Sequence, residues 1–347
     1  MRILFITKTF SDNQLGRTHS LHLIARYLGY ETAVRTVSAG EIWEPLLSDP
    51  FVDVCRVVSM DEMVEDARRA DLLIAVKVLP GSFGVARKVG KIANRPVLLD
   101  VDDPDIEATL LWNRPWVREM AKSAHFYRGE LLGIAAQRLP ARRYPTIVSN
   151  PVLQCMYGGH IVPHAREDIG VGADYDKSGS LTVAFVGTDR PHKGLDLLLE
   201  AVGGLNDRWE LVVTQSAPFG ARPGVHWVGP TDQQTGMRIT KEADAIILPS
   251  RSFGYARGQV PMKLIDAMLA ARPVAVSGVG PLPWVIGDAG MAFKPDSVAA
   301  IMQVMLRLED VDLRSGLGSA AREEALKRFT PAACAPEFEK AVEAAAS

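Results

Sequence analysis

The sequence predicts an α/β protein made of two domains, each a parallel β-sheet with crossover helices. Its 347 residues are enough for two domains of roughly 150 residues each. Short apolar runs of strand length alternate with segments of helical period along the chain, which is the pattern of β-α-β units. The pattern starts again after the polar stretch 166–180, so we expect this stretch to link the two domains.

The composition excludes several classes of protein. Apolar residues make up 47% of the chain and charged residues 23%, which is typical of a globular protein with a normal core. A formal net charge of −2 gives no overall field for nucleic acid, so no nucleic-acid partner is expected. The 3 cysteines form no C-x-x-C pair, which argues against a disulfide scaffold or a zinc cluster. Without an apolar run of signal-peptide or membrane-span length, a cytoplasmic protein is expected.

The apolar runs place the strands of both domains. In the first half, strands are predicted over residues 2–7, 33–37, 53–58, 72–78, 96–102, 146–150 and 161–163. In the second half, they are predicted over residues 181–187, 210–215, 225–229, 245–250, 273–277 and 291–294.

Both halves open in the same way, with a strand, a loop and an amphipathic helix. In the first half, a polar loop over residues 8–18 precedes a helix over residues 21–28. In the second half, a loop over residues 188–194 precedes a helix that starts at Leu195. Ligands of doubly wound sheets bind at such strand ends, beside helix N-termini. Two such edges facing each other would form one cleft.

The loop after the first strand of the second half carries the most chemistry. Gly187 at the strand end lets the backbone come close to a ligand, and the next helix offers free N–H groups. Arg190 and Lys193 add two cations. They would neutralise a diphosphate without a metal, because arginine forks across two oxygens while lysine acts as a mobile point charge. An exposed basic turn has the same spacing, so both interpretations stay open.

A second candidate segment is the predicted helix that starts near Pro261. Asp266 lies off its apolar stripe, and a carboxylate there can accept both hydroxyls of a ribose. A solvated helix residue fits the same position. Gly280 belongs to the loop after the next strand, whose bare N–H groups suit phosphate or sugar oxygens. A turn that only reverses the chain looks the same.

These segments carry a family resemblance. FVGTDRPHKGLDLLLEAV, ADAIILPS and PMKLIDAMLAARPVAVSGVGPLPWVIGDAGMAFKP occur in this order, with REEALKRFTPAACAPEFEKAV closing the chain. In order and spacing they resemble the donor-domain blocks of the two-domain GT-B glycosyltransferases usually called family 4, over most of residues 181–345. The first half is similar to the acceptor domain through shorter segments, such as MRILFIT, RPVLLDVDD and HIVPH.

The resemblance implies two Rossmann-like domains that face a cleft. Residues 1–167 would form the acceptor side, residues 168–328 would bind the nucleotide-sugar, and residues 329–347 would form a helix that returns to the first domain. The implied activity is sugar transfer from a nucleoside-diphosphate sugar, with retention at the anomeric carbon and with neither metal nor other cofactor. The acceptor would be a small molecule, a glycan or a lipid-linked molecule. The motifs do not distinguish UDP, GDP, ADP and dTDP donors.

The resemblance also assigns residues by position. Arg190 and Lys193 would hold the diphosphate and stabilise the charge that grows on it, and Asp266 would bind the ribose. Gly16 would let the first-domain loop approach the phosphates from across the cleft. Many members of the family carry two Glu residues separated by seven others. Asp266 stands where the second would be, and an ungapped count places Gly258 where the first would be.

Candidates for acceptor binding lie in the first half. Asp102 and Asp103 follow a predicted strand and would bind acceptor hydroxyls or an amine. His19 lies shortly after Gly16, near the expected cleft. Asp100 and Asp102 also form a D-x-D motif, which can bind a divalent cation in the other large glycosyltransferase fold. Two matched halves argue against that fold, and a capped turn explains the aspartates equally well.

A basic run contains Arg114, Arg118 and Lys122 on one face of a predicted helix. A solvated helix face explains this run, and the functional alternatives are a weak peripheral contact with a membrane surface or contact with an anionic acceptor.

Two other functions are compatible with the sequence. An enzyme similar to nucleotide-sugar 2-epimerases would keep the nucleotide site and need no acceptor pocket. A catalytically degenerate transferase would bind a nucleotide-sugar or a partner protein without turnover.

Overall fold

The computed structural model describes residues 1–108, 128–175, 179–205, 208–218 and 222–346. The chain divides into two units. Unit 1 is Met1–Ala165 together with Pro331–Ser347, and unit 2 is Arg166–Thr330. The sequence-based borders, after residues 167 and 328, lie close to these.

Unit 1 is built on one parallel sheet of 7 strands in the order β3-β2-β1-β4-β5-β6-β7. The strands are β1 (Arg2–Ile6), β2 (Glu31–Thr36), β3 (Cys55–Val57), β4 (Leu72–Val76), β5 (Val97–Val101), β6 (Thr146–Val148) and β7 (His160–Ile161). Every residue of β4 and β5 is buried, as expected for central strands of a sheet covered on both faces. The strand order reverses between β1 and β4, which is where ligands of such sheets bind.

Unit 2 holds two parallel sheets of 3 strands each, in the orders β10-β9-β8 and β11-β12-β13. The strands are β8 (Leu181–Phe185), β9 (Trp209–Val213), β10 (Val225–Trp227), β11 (Ile246–Leu248), β12 (Val274–Ser277) and β13 (Met291–Phe293). A parallel bridge between Val183 and Ala245 joins the two sheets. The strand order therefore reverses between β8 and β11.

Helices cover these sheets. In chain order they are α1 (Gln14–Tyr27), α2 (Met60–Arg68), α3 (Val85–Ala93), α4 (Arg128–Ala141), α5 (Pro151–Tyr157), α6 (Leu195–Gly203), α7 (Gln233–Glu242), α8 (Met262–Leu269), α9 (Leu282–Ile286), α10 (Val298–Arg307), α11 (Val311–Arg328) and α12 (Pro331–Ala346). In unit 1, α1 and α12 cover one face of the sheet, and α2 and α3 cover the other. The last helix thus packs into the first unit.

Each predicted strand is found in the structure, with small differences at its ends. The first helix differs more, because α1 starts at Gln14, inside the predicted loop. The Asp12 carboxylate accepts a hydrogen bond from the Gln14 amide at 2.9 Å, which satisfies one N–H of the first turn. The residues from Gln14 to Leu21 are all buried, polar ones included. No apolar period therefore marks the first two turns in the sequence.

The stretch predicted as a linker is anchored on unit 2. Residues 166–175 form neither helix nor strand. The Gly172 amide donates to the carbonyl oxygen of Ala270 at 2.9 Å, and an Arg272 Nη2 donates to the carbonyl oxygen of Ala173 at 2.7 Å. Within the described ranges, no helix is long and apolar enough to cross a membrane.

Candidate functional site

The loop over residues 187–194 leaves the carboxyl end of β8 and leads into α6. Gly187 is exposed and has a φ of 101°, a conformation that only glycine adopts at little cost. Its amide donates to Thr214 Oγ1 at 2.7 Å, and its carbonyl oxygen accepts from Gln215 Nε2 at 2.7 Å. The start of the loop is therefore fixed to the end of β9.

The end of the same loop is fixed to the residues that follow β11. Gly194 has a φ of 70°, and a Cβ atom there would lie 2.1 Å from the carbonyl oxygen of Pro249. The Arg251 amide donates to the carbonyl oxygen of His192 at 2.8 Å. Because both ends are held, the cations between them are presented from a defined backbone.

The structure brings Arg190 and Lys193 together on one short turn. Arg190 precedes a 3-10 helix over Pro191–Lys193, and its carbonyl oxygen accepts from the Lys193 amide at 2.8 Å. The Arg190 side chain is exposed. Lys193 Nζ donates to the carbonyl oxygen of Thr188 within the loop. Their predicted contact with a diphosphate stays a prediction.

Lys263, which the sequence analysis did not single out, lies beneath this loop. It is the second residue of α8, and its Nζ donates to the carbonyl oxygen of Val186 at 2.7 Å. The same Nζ lies 4.1 Å from the ring centroid of Phe185, within cation–π range. Burial lowers the pKa of Lys263 well below its ordinary value, Lys193 lowers it further, and Asp189 opposes them.

Asp266 lies one turn further along α8, and its carboxylate has a partner within unit 2. Arg166 Nε lies 2.6 Å from Asp266 Oδ1, and Arg166 Nη2 lies 3.4 Å from Oδ2. Both side chains are mostly buried, with 8% and 14% of their surfaces exposed. A ribose bound to this carboxylate would have to share it with Arg166 or displace that side chain. The ribose assignment stays a prediction.

Gly280 follows β12 and is exposed. Its φ is 53°, and a Cβ atom there would lie 2.6 Å from the carbonyl oxygen of Arg257 and 2.7 Å from that of Ala256. Glycine is therefore required for the close packing of two loops at the same sheet edge. Its predicted contact with phosphate or sugar oxygens stays a prediction.

In unit 1, Asp102 and Asp103 lie at the carboxyl end of β5, beside a buried lysine at the end of β4. Lys77 Nζ lies 3.2 Å from Asp102 Oδ1 and 3.8 Å from Asp105 Oδ2, and it donates to Asp103 Oδ2. Lys77 has a φ of 70°, which costs a non-glycine residue conformational energy. Although burial disfavours its charge, the three carboxylates raise the pKa of Lys77.

Three carboxylates around one lysine leave this cluster with excess negative charge. Burial raises the pKa of Asp105 to about 7, against the effect of Lys77 and together with Asp103 and Asp102. Asp105 is therefore only partly ionised near neutral pH. The acceptor-binding role of Asp102 and Asp103 stays a prediction, and sequence reasoning missed Lys77 as their partner.

Asp100, the first carboxylate of the D-x-D motif, is engaged elsewhere. Arg17 Nη2 donates to Asp100 Oδ1 at 2.7 Å, and Nε donates to both carboxylate oxygens, at 3.1 and 3.2 Å. Neither side chain is exposed. Arg17 also donates to the carbonyl oxygens of Val162 and Pro163. Through Arg17, Asp100 thus joins β5 to the segment after β7. In the described part of the chain, no three His, Cys, Asp or Glu side chains are arranged to hold a metal ion.

Gly16 and His19 have surroundings other than those expected. Gly16 lies in the buried first turn of α1 and not in a loop, so the expected loop position is wrong. His19, on the same helix, is 3% exposed. Its Nε2 lies 3.5 Å from Asp49 Oδ2, and its ring centroid lies 5.0 Å from that of Phe51. Their roles toward a donor and an acceptor stay predictions.

The basic run from Arg114 to Lys122 lies outside the described residues.

Known proteins that are similar to this chain include glycosyltransferases. A family model described as "Glycosyl transferases group 1" matches residues 180–310. This range contains the loop over residues 187–194 and all of α8. The matched part thus includes the candidate residues Arg190, Lys193 and Asp266.

One curated relative is the D-rhamnosyltransferase WbpZ of Pseudomonas aeruginosa. It is 28% identical to this chain over 142 residues, which are 38% of this chain and 36% of that protein. The match therefore spans about a third of the relative's length.

Solved structures match over nearly the whole chain. Anabaena HepE in complex with UDP and glucose has a TM-score of 0.75 at 15% identity, with 99% of this chain and 100% of that chain covered. The lipopolysaccharide outer core galactosyltransferase WaaB has a TM-score of 0.65 at 13% identity and covers 99% of both chains. These similarities confirm the prediction of an α/β fold with two Rossmann-like domains. Residues 180–310 form a domain like those of the group 1 glycosyltransferases, in a chain with the GT-B fold.

Proposed function

We propose that the protein transfers a sugar from a nucleoside-diphosphate sugar to an acceptor, with retention at the anomeric carbon and without a divalent metal. The observation that carries the proposal is the cationic loop over residues 187–194. It lies at the reversal of strand order in unit 2 and inside the range that matches the glycosyltransferase model.

The proposed mechanism uses the charges of this loop. As the bond to the sugar breaks, negative charge grows on the departing diphosphate, and Arg190 and Lys193 stabilise it. The backbone is already fixed at Gly187 and Gly194, so little reorganisation is needed during the reaction. The departing phosphate oxygen takes the proton of the acceptor hydroxyl on the same face of the sugar.

The donor is proposed from the same residues together with the solved neighbours. HepE was crystallised with UDP-glucose, which makes UDP the first nucleotide to test. In unit 2, Gly187 and Gly280 let the backbone approach the donor, and Asp266 binds the ribose once Arg166 shares or releases its carboxylate.

The acceptor is proposed to bind unit 1. Asp102 and Asp103 lie at the carboxyl end of β5, the strand next to β4, and their carboxylate oxygens are proposed to accept from an acceptor hydroxyl or amine. His19 is a further candidate on α1. The acceptor classes are a small molecule, a glycan or a lipid-linked molecule.

A transfer assay tests the proposal. Donors with UDP, GDP, ADP and dTDP are first ranked by thermal shift, since a ligand at 100 times its Kd stabilises by about 2.7 kcal/mol. The best donor is then incubated with acceptor pools, and the anomeric configuration of the product is read by NMR. A retained configuration, with turnover reduced in Lys193→Ala, supports the proposal. An inverted product refutes retention. An epimerised donor, or tight donor binding without any turnover, refutes the transferase assignment.

A further inference from the structure

Lys263 is placed to act on the same ligand as the loop after β8. It extends from the first turn of α8 to the carbonyl oxygen of Val186, at a distance of 2.7 Å. Val186 is followed directly by Gly187, where the exposed loop begins. One Nζ hydrogen is used by this contact, which leaves two more on an ammonium group.

The surroundings of Lys263 are unfavourable for a charge that serves the fold alone. At the end of β8, the Phe185 ring and the Val186 carbonyl oxygen favour the ammonium, but neither carries a negative charge that would offset its burial. From the loop it meets the opposing charges of Lys193 and Asp189, of which Lys193 has the larger effect. Burying an ammonium beside a second ammonium costs free energy. An anionic ligand bound between them would remove that cost.

We propose that Lys263 is a third cation of the donor site, which contacts the diphosphate of the bound donor together with Lys193. The inference rests on the proposed function, because it takes the anion to be that of a nucleoside diphosphate. It adds a residue outside the loop, 70 positions along the chain from Lys193, to the groups that bind this anion.

The proposal predicts that nucleotide binding is coupled to proton uptake. In the free protein, burial and Lys193 favour the neutral amine of Lys263, and the diphosphate favours the ammonium. A proton is therefore taken up at any pH between the two pKa values of Lys263. The terminal phosphate of UDP, with a second pKa of about 6, is fully ionised at pH 8.5 and adds no protons there.

The test is calorimetric titration of UDP at pH 8.5 in buffers of different ionisation enthalpy. Wild-type protein is expected to take up as much as one proton per UDP bound. Lys263→Met keeps the apolar stem against Phe185 and should bind UDP without proton uptake, with affinity reduced roughly ten- to a hundredfold. Lys327→Met, which removes an exposed lysine of α11, is the control and should behave as wild type.

Two more measurements separate ligand binding from a structural role. Lys263→Arg should retain most of the affinity and lose the proton uptake, because arginine stays charged at this pH. Without nucleotide, Lys263→Met should unfold at the wild-type temperature or above. If Lys263→Met unfolds earlier while its UDP affinity and proton uptake are unchanged, Lys263 only supports Val186 and the inference is wrong.

The outcome also distinguishes this inference from the proposed function. If UDP binds to wild-type protein without proton uptake and binds equally well to Lys263→Met, the inference fails and the donor site stands. If UDP, GDP, ADP and dTDP all fail to bind to wild-type protein, the proposed donor site fails and the inference fails with it.

Discussion

The two strand-end clusters of the molecule balance their charges in different ways. At the end of β8, the Arg190 side chain is exposed, and Lys193 Nζ donates to a loop carbonyl oxygen. At the end of β5, Lys77 is surrounded by carboxylates and Arg17 is fully buried against Asp100. The loop after β8 thus presents an arginine side chain to solvent, and the charges near the end of β5 are paired inside the protein. A run of charged residues in a sequence can therefore form either an exposed charged surface or buried ion pairs, and only the fold distinguishes the two.

The largest expected effect concerns the buried pair of unit 1. Arg17→Met leaves Asp100 buried without a counter-ion and two carbonyl oxygens without a donor, so unit 1 should lose about 3–5 kcal/mol of unfolding free energy. Hydrogen exchange of unit 1 peptides measures this loss locally. Arg17→Met combined with Asp100→Leu should recover part of it, since no uncompensated charge is left. A single variant as stable as wild type would contradict the structural role of the pair.

The next largest effect is expected for the two cations of the loop after β8 in unit 2. Arg190→Ala or Lys193→Ala should lower kcat roughly 30- to 150-fold, the equivalent of one charge-assisted contact of about 2–3 kcal/mol in the transition state. Both residues act on one group, so the double variant should depart from additivity. Unfolding of unit 2 should barely change. A rise in KM with kcat intact would instead show uniform binding of donor and transition state.

Asp266 combines features of both clusters, because its carboxylate is paired with Arg166 inside unit 2 and is also proposed to bind a ligand. Asp266→Asn should lower nucleotide affinity by about 1.5–3 kcal/mol. Since Arg166 loses its counter-ion, unit 2 should also become less stable. Arg166→Gln is the matched control, which breaks the same pair and leaves the carboxylate available to ribose. Equal losses of affinity in both variants would assign Asp266 a structural role only.

A pH titration tests the excess negative charge at the end of β5. The pKa of Asp105 is about 7 in the folded protein against an ordinary value of 3.8. Between these values the folded state binds more protons than the unfolded state, so this group's stabilising contribution is complete below pH 3.8 and is lost as the pH rises through 7. Between pH 5 and pH 8, wild-type unit 1 should therefore lose about 2–3 kcal/mol of unfolding free energy through this group, and Asp105→Asn should not show this loss. Parallel pH profiles for both proteins would refute the shift.

The smallest expected effect is that of metal removal. Because two cations and a helix N-terminus are assigned to the diphosphate, EDTA should leave turnover nearly unchanged. Activity that disappears with EDTA and returns with Mn²⁺ would move the donor to the aspartates of unit 1, and the roles of the two clusters would be exchanged.

Much of the fold could be predicted because parallel strands buried on both faces are continuous apolar runs. The candidate loop over residues 187–194 could be found in the sequence because Gly187, Arg190 and Lys193 lie within seven consecutive residues. The start of α1 was missed because its buried face includes polar side chains. Hydrophobic periodicity does not reveal a helix where the buried side chains are themselves polar.

The partners of the candidate residues could not be predicted. Arg166 and Asp266 are 100 residues apart, and Lys263 and Val186 are 77 residues apart. Such pairs depend on the packing of distant segments, and the local pattern around each residue is that of an ordinary charged side chain. The only signal was position, because Lys77 comes directly after an apolar run and Lys263 directly after a helix-starting Pro-Met.

The return of α12 to unit 1 has a consequence for the order in which the protein folds during synthesis. Phe338 and Val342 of this helix complete the apolar layer that α1 begins, yet the ribosome makes them after the whole of unit 2. Unit 2 is one uninterrupted stretch of chain and can close as it emerges. Unit 1 is expected to complete its core only after the last helix has been synthesised, and until then part of its apolar surface is exposed to chaperones. The usual order, in which the N-terminal domain folds first, is therefore expected to be reversed here.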